Sequence, residues 1–351
     1  MRSIFLNPLA AVMAVCLVAC GGGSGGTGGT QTSTPAPITP PVGASKNLLF
    51  VSDVGHRVLS VVDTLNPAAN TSIVGNVLSM EPTADGGVAY DAQKDLLYAT
   101  AGRLEFAGNS IIVFERASAL RGSVKPNRTI SPIVSNVGHI GALILDKERD
   151  ILYADVGGSS IAVFRNASKL NGGSTPDLVI PAKSTSFAVD FKRSILYVTI
   201  ASPFDTYIYA YSGLDTMTPA DNPRRTIRID SIRTLDGMAI DSGRDRLYLV
   251  GNQGAVAVVD NASSAGNSFG SAPDVAATVT PTMIVPIAPR PDYVLVNVVA
   301  IDSANDRLYI GSGNKAVIVN AASKLTAATV PNDVVAISAP SASNIRSFAF
   351  P

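Results

Sequence analysis

Few side chains in this 351-residue chain could carry catalysis or hold a transition metal. It has two histidines, His56 and His139, and two cysteines, Cys16 and Cys20. A zinc site built from imidazoles or thiolates is therefore excluded. Any metal would rest on carboxylate and amide oxygens, which calcium and magnesium prefer. The glycine-rich stretch 21–29 is not a phosphate-binding loop, because no strand, lysine or helix pattern accompanies it.

Carboxylates four residues apart recur along the chain, and this spacing would suit calcium binding or acid–base work. Asp146/Asp150 and Asp241/Asp245 are examples. Each pair falls between two apolar segments, where a hairpin turn is expected and Asp caps its own backbone. We interpret the repeated aspartates as structural. Functional residues are then expected among the loop residues that do not repeat.

The aspartates belong to a repeat with five copies. In every copy a short apolar segment ends at Asp, and a Leu-Tyr pair follows. The Asp and Tyr are seven residues apart throughout: Asp91/Tyr98, Asp146/Tyr153, Asp190/Tyr197, Asp241/Tyr248 and Asp302/Tyr309. Short strands with a period of about 40–50 residues are typical of a β-propeller. The repeated tyrosines are expected to pack between blades.

Each copy predicts a blade of four strands. The Ala-centred apolar segment is the inner strand, the Leu-Tyr segment is the second, and an alternating segment such as 160–164 is the third. A short helical turn, Ala-Ser-x-Leu, precedes the outer strand. An Asn or Ser near the start of that turn, such as Asn166, is expected to cap it.

The two ends of the domain complement each other. The segment that begins at Leu48 has the second, third and outer strands but no inner strand, and 347–351 looks like an inner strand alone. Joined, they would form a sixth blade and remove two open sheet edges. The prediction is an all-β, six-bladed β-propeller of four-stranded blades, closed by the C-terminal strand. A seventh blade would have to lie within 264–296.

The N-terminus has the pattern of a targeting segment. Arg2 precedes an apolar run from Leu9 to Val18, about half the ~20 residues that a spanning helix needs. The sequence Leu17-Val18-Ala19-Cys20-Gly21 resembles the bacterial lipobox. That resemblance implies a lipoprotein signal peptide over 1–19 and a lipid on Cys20. The alternatives are an ordinary signal peptide with an incidental cysteine, or an uncleaved anchor.

Residues 20–45, rich in Gly, Ser, Thr and Pro, are predicted to be a flexible tether, and 46–351 the propeller. The lipobox places the protein in the bacterial cell envelope. Gly21 after the cysteine resembles lipoproteins sorted to the outer membrane, facing the periplasm. The net charge of zero argues against a nucleic-acid partner. The expected partners are the membrane, through the lipid, and an unknown protein or small ligand.

Loops that do not repeat carry the candidate binding residues. His56, Arg57, His139 and Asp236 come from different repeats and are predicted to lie on the face opposite the aspartate turns. Propeller loops on one face converge over the central channel, which makes its centre the expected ligand site.

One segment carries a family resemblance. Leu49–Val58 resembles the NHL repeat through its Val-Ser-Asp strand, its Arg-containing loop and its following apolar strand. Asp155 matches the same Asp as Asp53, whereas the other copies have different residues there: Thr100, Thr199, Val250 and Gly311. The repeats are also similar to those of bacterial surface-protein propellers. These resemblances imply a binding or assembly scaffold that is non-catalytic and needs no cofactor.

Two further functions stay open. The chain is also similar to gluconolactonase-type six-bladed propellers, which hold one divalent ion in the central channel. That resemblance implies a hydrolase with Glu81, Asp236 and Asn297 around calcium or another divalent ion. The last reading is an outer-membrane assembly lipoprotein that docks by its rim.

Overall fold

The computed structural model describes the chain in separate ranges. The described ranges are 48–53, 58–63, 72–73, 76–80, 84–101, 110–131, 140–182, 186–201, 206–229, 235–251, 255–269, 278–279, 283–286, 296–313, 315–326, 333–337 and 345–351. The chain divides into the units Met1–Pro40 and Pro41–Pro351. The predicted signal peptide, Cys20 and the predicted tether lie outside the described residues. Within the described ranges, no helix is long and apolar enough to span a membrane.

The described strands form six sheets. Sheet 1 has the order β28-β1-β2-β4-β8, with β1 Leu48–Asp53, β2 Val58–Asp63, β4 Asn76–Met80, β8 Ser123–Val124 and β28 Ile345–Ala349. Sheet 2 consists of β5 Ala84–Asp91, β6 Leu96–Ala101, β7 Ser110–Glu115 and β9 Arg128–Ile130. Sheet 3 consists of β10 Ile140–Asp146, β11 Ile151–Val156, β12 Ser160–Arg165 and β13 Leu178–Pro181.

The other three sheets follow the same order. Sheet 4 has β14 Phe187–Asp190, β15 Ile195–Ala201, β16 Thr206–Ser212 and β17 Arg225–Ile229, with β21 Asn267–Ser268 and β22 Thr278–Val279 beside β17. Sheet 5 has β18 Leu235–Asp241, β19 Arg246–Gly251, β20 Ala255–Asp260 and β23 Met283–Pro286. Sheet 6 has β24 Val296–Asp302, β25 Arg307–Ser312, β26 Lys315–Asn320, β27 Asp333–Ile337 and β3 Ser72–Ile73.

The innermost strands of the sheets contact one another in a closed ring, in the order β5, β10, β14, β18, β24 and β28. This arrangement is a β-propeller. Five sheets take their four main strands from one continuous stretch of chain, and sheet 1 combines strands from both ends of the domain. Segment 264–296 supplies β21 and β22 to sheet 4 and β23 to sheet 5, so its described strands form no sheet of their own.

The repeated tyrosines pack between neighbouring sheets, as the sequence predicts. Tyr98 of β6 lies in one apolar cluster with Leu152 and Phe164 of the next sheet. The tyrosines Tyr98, Tyr197, Tyr248 and Tyr309 are fully buried. Phe50 takes the equivalent place in sheet 1, where its ring lies 4.8 Å from the Tyr90 ring of sheet 2. The repeated tyrosines, and Phe50 in sheet 1, therefore supply large aromatic side chains to the cores between sheets.

The turn aspartates are structural, as expected. Asp146 Oδ1 accepts hydrogen bonds from the backbone N–H groups of Glu148 and Arg149 at 3.2 and 3.0 Å. Asp150 accepts from both the backbone N–H and the hydroxyl of Ser168, at 3.0 and 2.6 Å. Ser168 lies in a 3-10 turn. Four of these turns are described: Ala117–Ala119, Ala167–Lys169, Ala262–Ser264 and Ala322–Lys324.

The expected cap of these turns is wrong. Asn166 has φ of 52° and makes no side-chain cap hydrogen bond. The capping oxygen comes instead from Asp150, a residue of the preceding hairpin. The left-handed backbone at Asn166, which Asn tolerates better than most residues, turns the chain into the 3-10 segment.

The face of the ring that carries the aspartate turns is here named the turn face. On this face, arginine side chains also join neighbouring sheets. Arg193 of sheet 4 bonds Asp190 in its own turn at 3.0 Å and the carbonyl of Ser242 in sheet 5 at 2.7 Å. Arg244 repeats this geometry between its own Asp241 and the following sheet. The turn face is thus fixed by contacts that recur from sheet to sheet.

Inner strands approach closely where glycine removes the side chain. A Cβ at Gly87 would lie 2.4 Å from the backbone nitrogen of Leu143 and 2.6 Å from the carbonyl of Gly141. The backbones of β5 and β10 therefore touch directly, and no larger residue fits at Gly87 unless one strand shifts.

The C-terminal strand closes the ring, as predicted. β28 pairs with β1 in antiparallel register, with Val51 opposite Phe348 and Ser52 opposite Ser347. The Ser347 hydroxyl accepts a hydrogen bond from the Val88 N–H of sheet 2 at 3.2 Å. On the other side, the rings of Phe348 and Phe350 lie 5.9 and 5.2 Å from Tyr309 of sheet 6. The strand therefore joins three sheets.

Deletion of residues 347–351 is expected to destabilise the domain by more than about 3 kcal/mol. Burial of one Phe side chain contributes roughly 1.5–3 kcal/mol, and each lost ladder hydrogen bond adds about 1 kcal/mol. Thermal unfolding of the truncated and full chains measures the loss. Removal of Pro351 alone, which leaves the pairing intact, is the control. Equal melting temperatures for the two chains would contradict this role of β28.

Candidate functional site

A cavity of about 550 Å³ lies among the inner strands. All six sheets contribute to its wall. Most of the lining is apolar or small, including Val88, Ala142, Phe187 and Met238. This volume falls within the usual range for small-molecule sites, which are mainly apolar with a few placed polar groups.

Three consecutive inner strands carry polar residues at one shared position. It lies near the face opposite the turn face, here named the loop face. In each inner strand one residue pairs with the repeated tyrosine of the second strand, or with Phe50 in sheet 1. The shared position lies three residues before that paired residue. In β18, β24 and β28 it is occupied by Asp236, Asn297 and Arg346. The same position is Gly86 in β5 and Gly141 in β10. Asp236 and Arg346 both line the cavity, so an acidic and a basic group share one part of its wall.

The environment of Asp236 is partly desolvated. Burial raises the pKa of its carboxyl above the usual value, and the positive charge of Arg346 acts in the opposite direction. Asp236 is half-buried, whereas Arg346 is exposed. The two groups are suited to a ligand with a hydrogen-bond donor or positive group beside an acceptor or negative group.

Asp155 adds a second carboxylate to the cavity wall. It is buried, and its Oδ1 accepts a hydrogen bond from the Gly158 N–H at 3.2 Å. Its carboxylate lies against Gly141 of the adjacent inner strand, where a Cβ would clash with Oδ2. Glycine at 141 is therefore what gives the Asp155 carboxylate its place beside the inner strand.

The structure corrects the equivalence of Asp53 and Asp155. Phe50 takes the place of the repeated tyrosine, so Ser52, two residues later, is the counterpart of Asp155. The Ser52 hydroxyl donates to the carbonyl of Gly86. In sheet 4 the residue at this position bonds its own inner strand: the Thr199 hydroxyl accepts from the Ser186 N–H at 2.8 Å. A backbone hydrogen bond at the start of an inner strand explains why the position is often polar.

The opposite end of the cavity contains Lys147, which the sequence reasoning missed. Its Nζ donates to the backbone carbonyl of Phe350 at 3.0 Å, although the two residues belong to sheets 3 and 1. Burial lowers the pKa of the Lys147 ammonium, while Asp91 and Asp302 act to raise it. The available signal was a single break in the repeat. The residue after the turn aspartate is a lysine only here, and elsewhere is Ala92, Phe191, Ser242 or Ser303.

The structure describes some of the site residues predicted from the sequence and not others. Asp236 lines the cavity, as its proposed role requires. Asn297 lies in β24 at the equivalent position of the next strand. His56, Arg57, His139 and Glu81 lie outside the described residues, so their convergence stays a prediction. Among the residues that the structure describes, no group of three or more His, Cys, Asp or Glu is placed to hold a metal ion.

Comparisons with known proteins identify no family for this chain. No family model and no curated protein matches the chain. Among 832 matching chains of solved structures, one comes from the "Crystal Structure of Mitotic Checkpoint Complex". That chain is 13% identical with a TM-score of 0.42, and the match covers 68% of this chain and 61% of that chain, under two thirds of its length. The assignment of a propeller therefore rests on the strand pairing described above.

Replacement of Asp236 by Asn is expected to raise the melting temperature at pH 7. Because the folded-state pKa of Asp236 is raised, its contribution to stability is complete below the ordinary carboxyl pKa and is lost as pH rises through the folded value. The advantage of Asp236→Asn should therefore shrink at about pH 3. Thermal unfolding at both pH values measures it, with exposed Glu148→Gln as control. An advantage that grows toward low pH would contradict the shift.

Proposed function

We propose that this protein is an NHL-like, non-catalytic binding propeller, anchored to the bacterial envelope by a lipid on Cys20, and that its ligand enters the central cavity from the loop face. The cavity with Asp236 and Arg346 on one part of its wall carries the proposal. Both charges lie at the ends of inner strands, where the bordering loops differ from repeat to repeat. Variation of that kind is typical of a binding site on a repeated scaffold.

A buried hydroxyl supports a polar ligand or bound water near this end. Thr100 Oγ1, in the cavity wall, has no hydrogen-bond partner within the described part of the chain. A buried hydroxyl without a partner costs roughly 1–3 kcal/mol. A bound group within reach of it would recover part of that cost.

Binding is favoured over metal-dependent hydrolysis because of the charge beside Asp236. A divalent ion at this carboxylate would be close to the guanidinium of Arg346, whose electrostatic effect already reaches Asp236. Repulsion between the metal ion and the guanidinium would weaken binding of the ion. The hydrolase alternative also requires Glu81 and Asn297, whose side chains lie outside what the structure describes. One calcium ion retained per purified chain would favour the alternative.

Asp236→Asn and Arg346→Gln are expected to lower ligand affinity by about tenfold or more, since hydrogen bonds to charged groups contribute about 1.5–3 kcal/mol. The mature chain would first be tested by thermal shift against amino acids, organic acids and sugars. Calorimetry with the best ligand then compares the variants and His139→Ala. Arg149→Gln on the turn face is the matched control. An affinity that changes only with Arg149→Gln would reverse the proposed face.

Cys20→Ser is expected to abolish labelling by a radioactive or alkyne-tagged fatty acid and to leave the protein either soluble or with its signal segment uncleaved. The physical reason is that the tether supplies no apolar segment of its own to hold the protein there. Cys16→Ser is the control, because it leaves the lipobox cysteine in place. A Cys20→Ser chain that is still cleaved and still partitions into detergent would show that the anchor is elsewhere.

A further inference from the structure

A single lysine reaches across one end of the cavity. Lys147 belongs to the first turn of sheet 3, and its Nζ bonds the carbonyl of Phe350, which follows β28 of sheet 1. Sheet 2 lies between these two sheets in the ring. The ammonium is also within electrostatic range of Asp91 in sheet 2 and Asp302 in sheet 6. The hydrogen bond to Phe350 and the electrostatic effects of carboxylates from two further sheets indicate that the ammonium lies near the ring axis, at the turn-face end.

The two nearby carboxylates are already occupied. Asp91 accepts from the backbone N–H groups of Gln93 and Lys94 and from the Lys94 ammonium, all at 2.9–3.1 Å. Asp302 accepts from the backbone N–H and side-chain amide of Asn305 at 3.1 and 2.7 Å. Neither is within ion-pair distance of Lys147 in the described part of the chain. One neutral carbonyl is therefore the direct partner of a partly buried cation.

Partial burial of an ammonium without a carboxylate partner is unfavourable, and a bound anion would offset that cost. The ammonium has three N–H donors, of which Phe350 uses one. The cavity lining also includes the apolar side chains of Phe191, Ile144 and Phe350. The cavity thus combines a cation with surfaces that suit a hydrocarbon or an aromatic ring.

We propose that the cavity binds an organic acid with an apolar body, whose carboxylate contacts Lys147 and whose body lies along the inner strands. This inference rests on the proposed binding function and adds the chemical class of the ligand and its orientation. The acid enters from the loop face, past Asp236 and Arg346, because Lys147 and Phe350 cross the turn-face end. A polar group at the far end of the ligand would then meet Asp236.

Octanoate tests the proposal, with octanamide as its neutral counterpart of the same length. Calorimetry on the mature chain is expected to give at least tenfold tighter binding for octanoate. Lys147→Gln keeps a donor for Phe350 but removes the charge, and should lower octanoate affinity at least tenfold while octanamide affinity is unchanged. Lys94→Gln, which removes an ammonium from the turn face outside the cavity wall, is the matched control.

The possible outcomes separate this inference from the proposed function. Equal affinity for octanoate and octanamide, or no effect of Lys147→Gln, overturns the role of Lys147. If another ligand then binds and depends on Asp236 or Arg346, the binding function stands without it. If no ligand depends on any of the three residues, both proposals fail.

A measurement on the unaltered protein covers the case in which Lys147→Gln does not fold. Acetic anhydride labels lysines in proportion to their access and their neutral fraction, and mass spectrometry reads each site. Saturating octanoate is expected to reduce acetylation of Lys147 at least fivefold and to leave Lys94 unchanged. Unchanged acetylation of Lys147 overturns the proposal.

Discussion

The antiparallel pairing of β1 with β28 is the constraint on which the rest of the molecule depends. Without it, sheet 1 would lack its inner strand and the ring of inner strands would be open between β5 and β24. The cavity exists because that ring is closed. Two of the polar groups in its wall, Arg346 and Ser347, are supplied by the closing strand itself. Stability and the candidate site are therefore joined in one segment of seven residues, 345–351.

The two faces of the ring have different roles. On the turn face, the same contacts recur from sheet to sheet, with an Asp capping its turn and a Lys or Arg reaching the next sheet, as Arg193 does. A recurring contact holds the ring but provides no asymmetry for recognition. On the loop face, the position occupied by Gly86, Gly141, Asp236, Asn297 and Arg346 differs in nearly every sheet. Recognition needs that difference, and the scaffold tolerates it at Asp236, which is half-buried, and at Arg346, which is exposed.

Much of the fold could be predicted from the sequence because the repeat is regular in both spacing and residue type. The seven-residue step from Asp to Tyr fixes one hairpin per copy, and the aromatic core and the closing strand follow from it. The capping residue was predicted wrongly because the pattern Asn-Ala-Ser is local, whereas the oxygen that caps the turn, in Asp150, comes from a hairpin 18 residues earlier. The predicted equivalence of Asp53 and Asp155 was wrong for a related reason. It was based on a short local sequence match, whereas the strand register is decided by the position of the aromatic residue, Phe50 or Tyr153.

The site was harder to predict than the fold. Asp236 could be identified as a loop-face residue that does not repeat. Lys147 lies in the turn that otherwise looks structural, and its importance comes from Phe350, 203 residues away in sequence. Only the closed ring brings these two residues together. A break in a repeated pattern was the one available signal, and it becomes meaningful when the turn-face end of the cavity is known.

The composite sheet also has a consequence for how the chain reaches its final state. In chain order β28 comes after every other strand, so β1 has no inner partner while the remaining sheets are being made and, if the chain is exported, moved across a membrane. During that interval β1 presents an unpaired edge, which is a template for association with other chains. A late-arriving strand makes ring closure a long-range event with a high entropic cost. A cell that makes this protein would need to keep the incomplete ring from other copies until β28 docks.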